Sequence, residues 1–403
     1  MTEVFHGDCR DVLELFVSNS FDAVITDPPY HLKFMGKAWD GGDVAFQPDT
    51  WRTVLRVLKP GAHMLCFGGT RTFHRLACAI EDAGFEIRDT LCWLYGSGFP
   101  KSRDVSKAMD KAAGATREVV GVKPGHENFI GRDNHPLNGG WDRPWASDPE
   151  AVARYHALTA PATDAARQWQ GWGTALKPAY EPIILARKPL VGTVAANVLA
   201  HGTGGLNIDV CRIGTTKRVP GSLSKTPNKV YGAGLGGYAQ NGTEGGHDPN
   251  LGRWPANVVH DGSPEVEAAF AVFETHSAGA AQPKQDRWAD QDRSEGWGNI
   301  GLGPNGARFG DSGTPSRFFY SAKATKYDRA DSLHPTVKPV ALLRWLTRMV
   351  IPPGGTVLDP FAGSGTLADA CATEGFDVVL IEQDAKYIAD INRRVLRIEE
   401  NAW

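Results

Sequence analysis

Asp27-Pro28-Pro29-Tyr30 gathers a carboxylate, a stiffened backbone and an aromatic face within four residues. Consecutive prolines force extended geometry on the residue before each, so the loop is rigid. The Asp27 carboxylate and the Pro28 carbonyl can then accept both hydrogens of an amino group, while Tyr30 can stack on the ring that carries it. A plain strand terminator would use the same residues and do no chemistry. A second segment, Asp359-Pro360-Phe361-Ala362-Gly363-Ser364-Gly365-Thr366, lies more than three hundred residues away. Its glycines let the backbone approach a ligand, and a helix starting there offers free N–H groups. Gly363-x-Gly365-x-x-Ala368 also satisfies a dinucleotide-binding pattern, as would a tight turn with no ligand. Glu382 lies 17 residues beyond Gly365. That is near the offset at which an acid holds ribose hydroxyls, although an ordinary strand-end carboxylate would fit as well.

The elements that must position these groups read as alternating strands and helices. Strands are expected at residues 3–6, 21–26, 63–67 and 90–95, with helices at 10–17, 49–58 and 71–83 between them. Beyond residue 334 a helix runs from near Pro339 to about 350. A strand at 356–360, a helix at 366–373, a strand at 378–381 and a helix at 385–400 follow. Repeated β-α-β order implies a mostly parallel sheet, and ligands bind at the carboxyl ends of such strands. A nucleotide-binding half needs strand, helix, strand, helix, strand. The C-terminal part supplies four of these and stops, so the strand at 3–6 is expected to supply the fifth. The fold is therefore read as α/β, circularly permuted and Rossmann-like, with the termini close together. Three regions result: a catalytic half at 1–100, an irregular inserted lobe at 101–333 holding one core strand near 181–187, and a cofactor half at 334–403.

Composition bounds the rest. No run of about 18 apolar residues and no signal pattern is present, which points to the cytoplasm and against a membrane. The six cysteines (Cys9, Cys66, Cys78, Cys92, Cys211, Cys371) form no Cys-x-x-Cys pair. They are read as small buried side chains rather than zinc ligands or disulfides. Residues 101–330 hold 27 Lys and Arg against 23 Asp and Glu, net +4, within a chain of net charge −3. Seven of the 12 tryptophans fall there, so aromatic clusters are expected to anchor a region poor in regular structure.

Together the two motifs resemble those of the β group of DNA amino-methyltransferases, which methylate adenine N6 or cytosine N4. His334-Pro335-Thr336-Val337-Lys338-Pro339 resembles the segment that lines the cofactor pocket in that group. Gly96–Ser102, Gly171–Pro178 and Tyr320–Ala324 resemble further recurrent pieces, with Lys101, Lys177 and Lys323 as candidate phosphate contacts. The resemblance implies sequence-specific transfer of a methyl group from S-adenosylmethionine to a flipped-out base in double-stranded DNA. Asp at position 27, where the cytosine enzymes more often carry Ser, favours adenine N6 over cytosine N4. RNA and protein-glutamine methyltransferases are the more distant alternatives. Asp27, Pro28, Pro29 and Tyr30 are the implied catalytic residues. The implied cofactor contacts are Asp8, Cys9, Asp27, His334, Pro335, Thr336, Lys338, Asp359, Phe361, Gly363, Ser364, Gly365, Thr366 and Glu382, with no metal. A homodimer, a cognate restriction endonuclease and association with the nucleoid of a bacterial or phage-infected cell are compatible with it.

Overall fold

The structure is a computed structural model that describes residues 1–31, 42–98, 100, 102–123, 149–214, 252–272, 314–322, 325–329, 332 and 337–400. Its first part runs β1 (Thr2–His6), α1 (Cys9–Leu13), β2 (Phe21–Thr26), α2 (Pro48–Val57), β3 (Leu58–Phe67), α3 (Phe73–Asp82) and β4 (Glu86–Leu94). A small unit follows: α4 (Val105–Ala112), β5 (Val119–Val122), α5 (Pro149–His156), β6 (Ala157–Thr159) and α6 (Asp164–Gln168). Next come β7 (Tyr180–Arg187), α7 (Val194–His201), β8 (Val258–His260), α8 (Pro264–Ala271), β9 (Tyr320–Ser321) and α9 (Lys326–Arg329). The last part is α10 (Val340–Val350), β10 (Thr356–Asp359), α11 (Thr366–Glu374), β11 (Asp377–Glu382) and α12 (Ala385–Glu400).

Nine strands form one sheet in the order β1-β11-β10-β2-β3-β7-β4-β8-β9. From β1 to β3 every neighbour is parallel. β1 lies beside β11 in register from Thr2 with Val378 to His6 with Glu382. The N-terminal strand thus completes the C-terminal β-α-β-α half, as its element order requires, and the Met1 amino group reaches the Asp377 carboxylate. Region 101–333 contributes β7 as expected. β8 and β9, too short and isolated to show a period, also extend the sheet edge.

β7 runs antiparallel between β3 and β4. That single reversal brings its first residues, Tyr180 and Glu181, to the edge where the parallel strands end.

Both faces of the sheet are covered, which explains why all six residues of β2 are buried. Alternate side chains divide between two cores. Ala23, Ile25, Leu65, Phe67, Val378 and Leu380 pack with α10 and α11 on one face. Val24, Met64, Cys66, Val379 and Ile381 pack with α1, α2 and α3 on the other. In α2 the buried residues Trp51, Val54 and Val57 recur at helical spacing, and Trp51 Nε1 donates to the Ala45 carbonyl at 2.8 Å.

Two expectations change. Cys78 is exposed and Cys92 half-buried, while the other four cysteines are buried. Cys78 falls on the solvent side of α3, which buries Leu76, Ala79 and Ile80 instead. Trp169 and Trp172 meet at 4.8 Å and Arg212 covers Trp254, yet Trp172 and Trp254 stay mostly exposed. The small unit is held by a buried carboxylate: Asp110 accepts from Arg117, from the Ala162 and Thr163 backbone and from the Thr163 hydroxyl. Trp141, Trp145, Trp288 and Trp297 lie outside the described residues.

Candidate active site

Because β1, β11, β10, β2 and β3 run the same way, the residues following them converge on one edge of the sheet. They line a cavity of about 730 Å³. Asp8, Cys9, Asp27, Pro28, Pro29, Tyr30, Lys338, Asp359, Phe361, Gly363, Ser364, Thr366 and Glu382 all line it. Gly365 does not. It serves the turn: its φ of +70° is left-handed, and a Cβ there would stand 3.0 Å from Ile391 Cγ1. His334, Pro335 and Thr336 lie outside the described residues, as do Lys101 and Lys323.

At one end the carboxylates are held by backbone. Glu382 Oε2 accepts from Gly363 N–H and Oε1 from Asp384 N–H, each at 2.8 Å. One lone-pair site on each oxygen remains for a ligand. Burial raises its pKa against these bonds. Asp8 caps α1 through Arg10 N–H at 2.9 Å and pairs with the Arg10 guanidinium at 2.6 Å. The Arg10 bond holds the Asp8 carboxyl below its usual range. Cys9 beside it is buried, which pushes its thiol up to about 12 and makes it an inert wall.

Asp359 occupies the middle. It accepts from the Thr26 hydroxyl at 2.7 Å and from Phe361 N–H at 3.1 Å. Burial nonetheless pushes its pKa up to about 7, against those two bonds and with the help of the Asp27 and Glu382 charges.

At the other end Tyr30 packs against Gly69, where a Cβ would come within 3.1 Å of the ring. Thr72 donates to the Tyr30 carbonyl at 3.0 Å and fixes the loop. The Tyr30 hydroxyl donates to Asp27 Oδ1 at 2.5 Å. Burial, then the Asp27 and Glu181 charges, raise the Tyr30 pKa, so the phenol keeps its proton. Lys338, expected among the cofactor contacts, lines the cavity but directs its ammonium to Asp27 and Glu181, at 2.8 Å from each. Glu181 was not singled out from the sequence. The strand at 181–187 was legible, but a strand's hydrophobic pattern does not reveal its direction, and only an antiparallel course puts position 181 at this edge.

The arrangement provides backbone donors and carboxylates at one end, a buried acid in the middle and a fixed acceptor beside an aromatic ring at the other. Among the described residues no group of three or more His, Cys, Asp or Glu side chains could hold a metal ion.

Comparison with known proteins gives this arrangement a family. The protein YubD of Escherichia coli strain K12, named as a methylase, is 35% identical over 92 residues, which are 22% of this chain. The chain covers 40% of that relative's length. The crystal structure of the M1.HpyAVI–SAM complex is matched at 14% identity and a TM-score of 0.39, over 98% of this chain and 100% of that one. PvuII DNA methyltransferase, cytosine-N4-specific, is matched at 13% identity and a TM-score of 0.43, over 99% and 90%. The DNA methylase family of the N6 and N4 type matches residues 21–131 and 173–393, which hold both motifs and the strands that carry them, and the chain belongs to that family.

Proposed function

We propose that this chain is a sequence-specific DNA methyltransferase that uses S-adenosylmethionine to methylate the N6 amino group of an adenine flipped out of the duplex. The observation that carries the reading is the placement of Asp27, Pro28 and Tyr30 in one cavity with the glycine turn and Glu382.

The cavity residues suit the cofactor. A volume of about 730 Å³ matches a ligand of nucleoside-plus-amino-acid size. Glu382 keeps acceptor capacity for ribose hydroxyls, and Phe361 lines the same cavity. Bound S-adenosylmethionine would supply an electrophilic methyl group on a cationic sulfur.

The chain's own residues supply the rest. An exocyclic amino nitrogen is a poor nucleophile because its lone pair is delocalised into the ring. Asp27 and the Pro28 carbonyl accept its two hydrogens and favour a tetrahedral nitrogen, whose lone pair then faces the methyl group. As the new N–C bond formed and the methyl–sulfur bond broke, with its electron pair left on the departing thioether sulfur, the nitrogen would become acidic and lose its proton to Asp27 or to water. Tyr30 offers a stacking face in place of the neighbours the base has left. Asp at position 27 supports adenine over cytosine. DNA of a bacterial or phage-infected cell as substrate would place the work in the cytoplasm. Among the described residues no helix is long and apolar enough to cross a membrane.

The test is direct. The chain is incubated with S-adenosylmethionine and mixed-sequence duplex DNA, and the nucleosides are analysed by mass spectrometry. N6-methyladenine is the expected product. N4-methylcytosine alone would overturn the choice of base, and no methylated nucleoside would overturn the reading altogether.

Asp359 adds a pH signature. Its folded pKa of about 7 lies above the ordinary value of 3.8, so the cavity holds a proton that the unfolded chain would lose. The stability this group contributes is full below pH 4 and is lost as pH rises through 7. S-adenosylmethionine carries a net positive charge, which favours the ionised carboxylate, so binding near pH 7 should release a proton. Titration calorimetry in buffers of different ionisation enthalpy reads this release. Equal apparent enthalpies in all buffers would refute it.

A further inference from the structure

Asp27 is one corner of a closed set of charges. Lys338 Nζ sits 2.8 Å from Asp27 Oδ2 and 2.8 Å from Glu181 Oε2. The Tyr30 hydroxyl, besides its bond to Asp27, lies 3.4 Å from Glu181 Oε2 and 3.3 Å from Lys338 Nζ. The Phe67 ring stands 4.7 Å from the ammonium, with Tyr30 at 5.6 Å and Trp93 at 6.0 Å. An ammonium packed among three rings is expensive to desolvate unless it is paired, and two carboxylates this close repel each other without a cation between them. Each member therefore depends on the others. Burial alone would lower the Lys338 pKa, but the Asp27 and Glu181 charges outweigh it and the net direction is up.

We propose that Lys338 and Glu181 are a positioning pair for the Asp27 carboxylate, Lys338 by its bond to Oδ2 and Glu181 by holding Lys338 in place. The proposal rests on the methyl-transfer reading above. With Tyr30 on Oδ1 and Lys338 on Oδ2, the carboxylate cannot rotate, and the remaining lone pairs are available to the target amino group in one orientation. Lys338 keeps its proton, so it acts as a fixed charge. Glu181 contacts the cation and has no role toward the base.

The pair has opposite electrostatic effects on Asp27, and this separates positioning from mere structural support. Asp27 faces Lys338 from the segment before α10, Glu181 from β7, Tyr30 from its own loop, Cys66 from β3 and Asp359 from the end of β10. Tyr95, just after β4, faces Glu181 and Lys338. Lys338→Met removes the cation and leaves two carboxylates together, so the acid limb of the pH profile of transfer should move to higher pH. Glu181→Gln removes the second carboxylate and leaves Lys338 to Asp27 alone, so that limb should move to lower pH. The double variant should fall between the two. Lys338→Met should also slow transfer by about 10²-fold, the usual consequence of a misplaced reacting group, with S-adenosylmethionine affinity nearly unchanged.

The experiment measures single-turnover methylation of mixed-sequence duplex DNA against pH for the wild-type chain and the three variants, together with cofactor affinity by calorimetry. Acid limbs displaced in opposite directions support the pair. Limbs that stay together or move the same way overturn it, and the near-isosteric Glu181→Gln decides the matter if Lys338→Met does not fold. A wild-type chain that methylates no DNA overturns the methyl-transfer reading itself, whereas an active wild type with undisplaced limbs overturns only the positioning pair.

Discussion

Asp27→Ala is expected to cut methyl transfer by about 10² to 10³-fold or more, the scale of losing one group aimed at the reacting centre. The loss should come without unfolding. Lys338 keeps Glu181 at 2.8 Å when Asp27 is gone, so no buried cation is stranded. Affinity for S-adenosylmethionine should hardly change, because the partner proposed for Asp27 is the target nitrogen. Glu382→Ala should do the reverse and weaken the cofactor by about 1 to 3 kcal/mol, the cost of losing bonds to a charged acceptor. Calorimetric titration of both variants beside a transfer assay separates the two roles. Equal cofactor affinities for the wild type and Glu382→Ala would remove the ribose assignment.

Arg394→Ala should produce the largest loss of stability connected to the site. The side chain is 2% exposed and donates to the Ser364 carbonyl at 2.9 Å and to the Asp328 carbonyl at 3.0 Å, besides pairing with Asp369. It ties α12 to the glycine turn, to α9 and to α11 at once. Truncation leaves two buried carbonyls without this donor and weakens a buried pair, although Arg397 stays 3.0 Å from Asp369. A cost of about 3 kcal/mol follows. Arg394→Lys, which keeps the charge but loses the fork, should fall between. Denaturant titration measures both, and an Arg394→Ala variant with the wild-type midpoint would show that the tie is dispensable.

Much of the candidate site was legible in the chain because its signals are local. Asp27-Pro28-Pro29-Tyr30 and the turn from Asp359 to Thr366 each sit where a short apolar run stops, and backbone stereochemistry alone makes such a place a strand end. The short continuous apolar runs of β2, β10 and β11 marked strands buried on both faces, and the missing fifth strand of the C-terminal half pointed to β1. Glu382 could be found from its offset because one helical crossover links it to the glycine turn.

What the tertiary structure decided depends on pairings that no local pattern encodes. β8 and β9, of three and two residues, are strands only because they pair with their neighbours in the sheet. β7 was recognisable as a strand, but whether Glu181 or Arg187 reached the site depended on its direction between β3 and β4. Lys338 is similar. Its sequence neighbours place it beside the cofactor motif, yet the low-dielectric space between Asp27 and Glu181, formed by segments far apart in the chain, holds its ammonium more strongly than any nearer partner. Residue types and spacing determined which chemistry this chain could carry out. The fold decided which charges meet, because electrostatic energy depends on distance through space and on water excluded by packing, and neither is a property of position along the sequence.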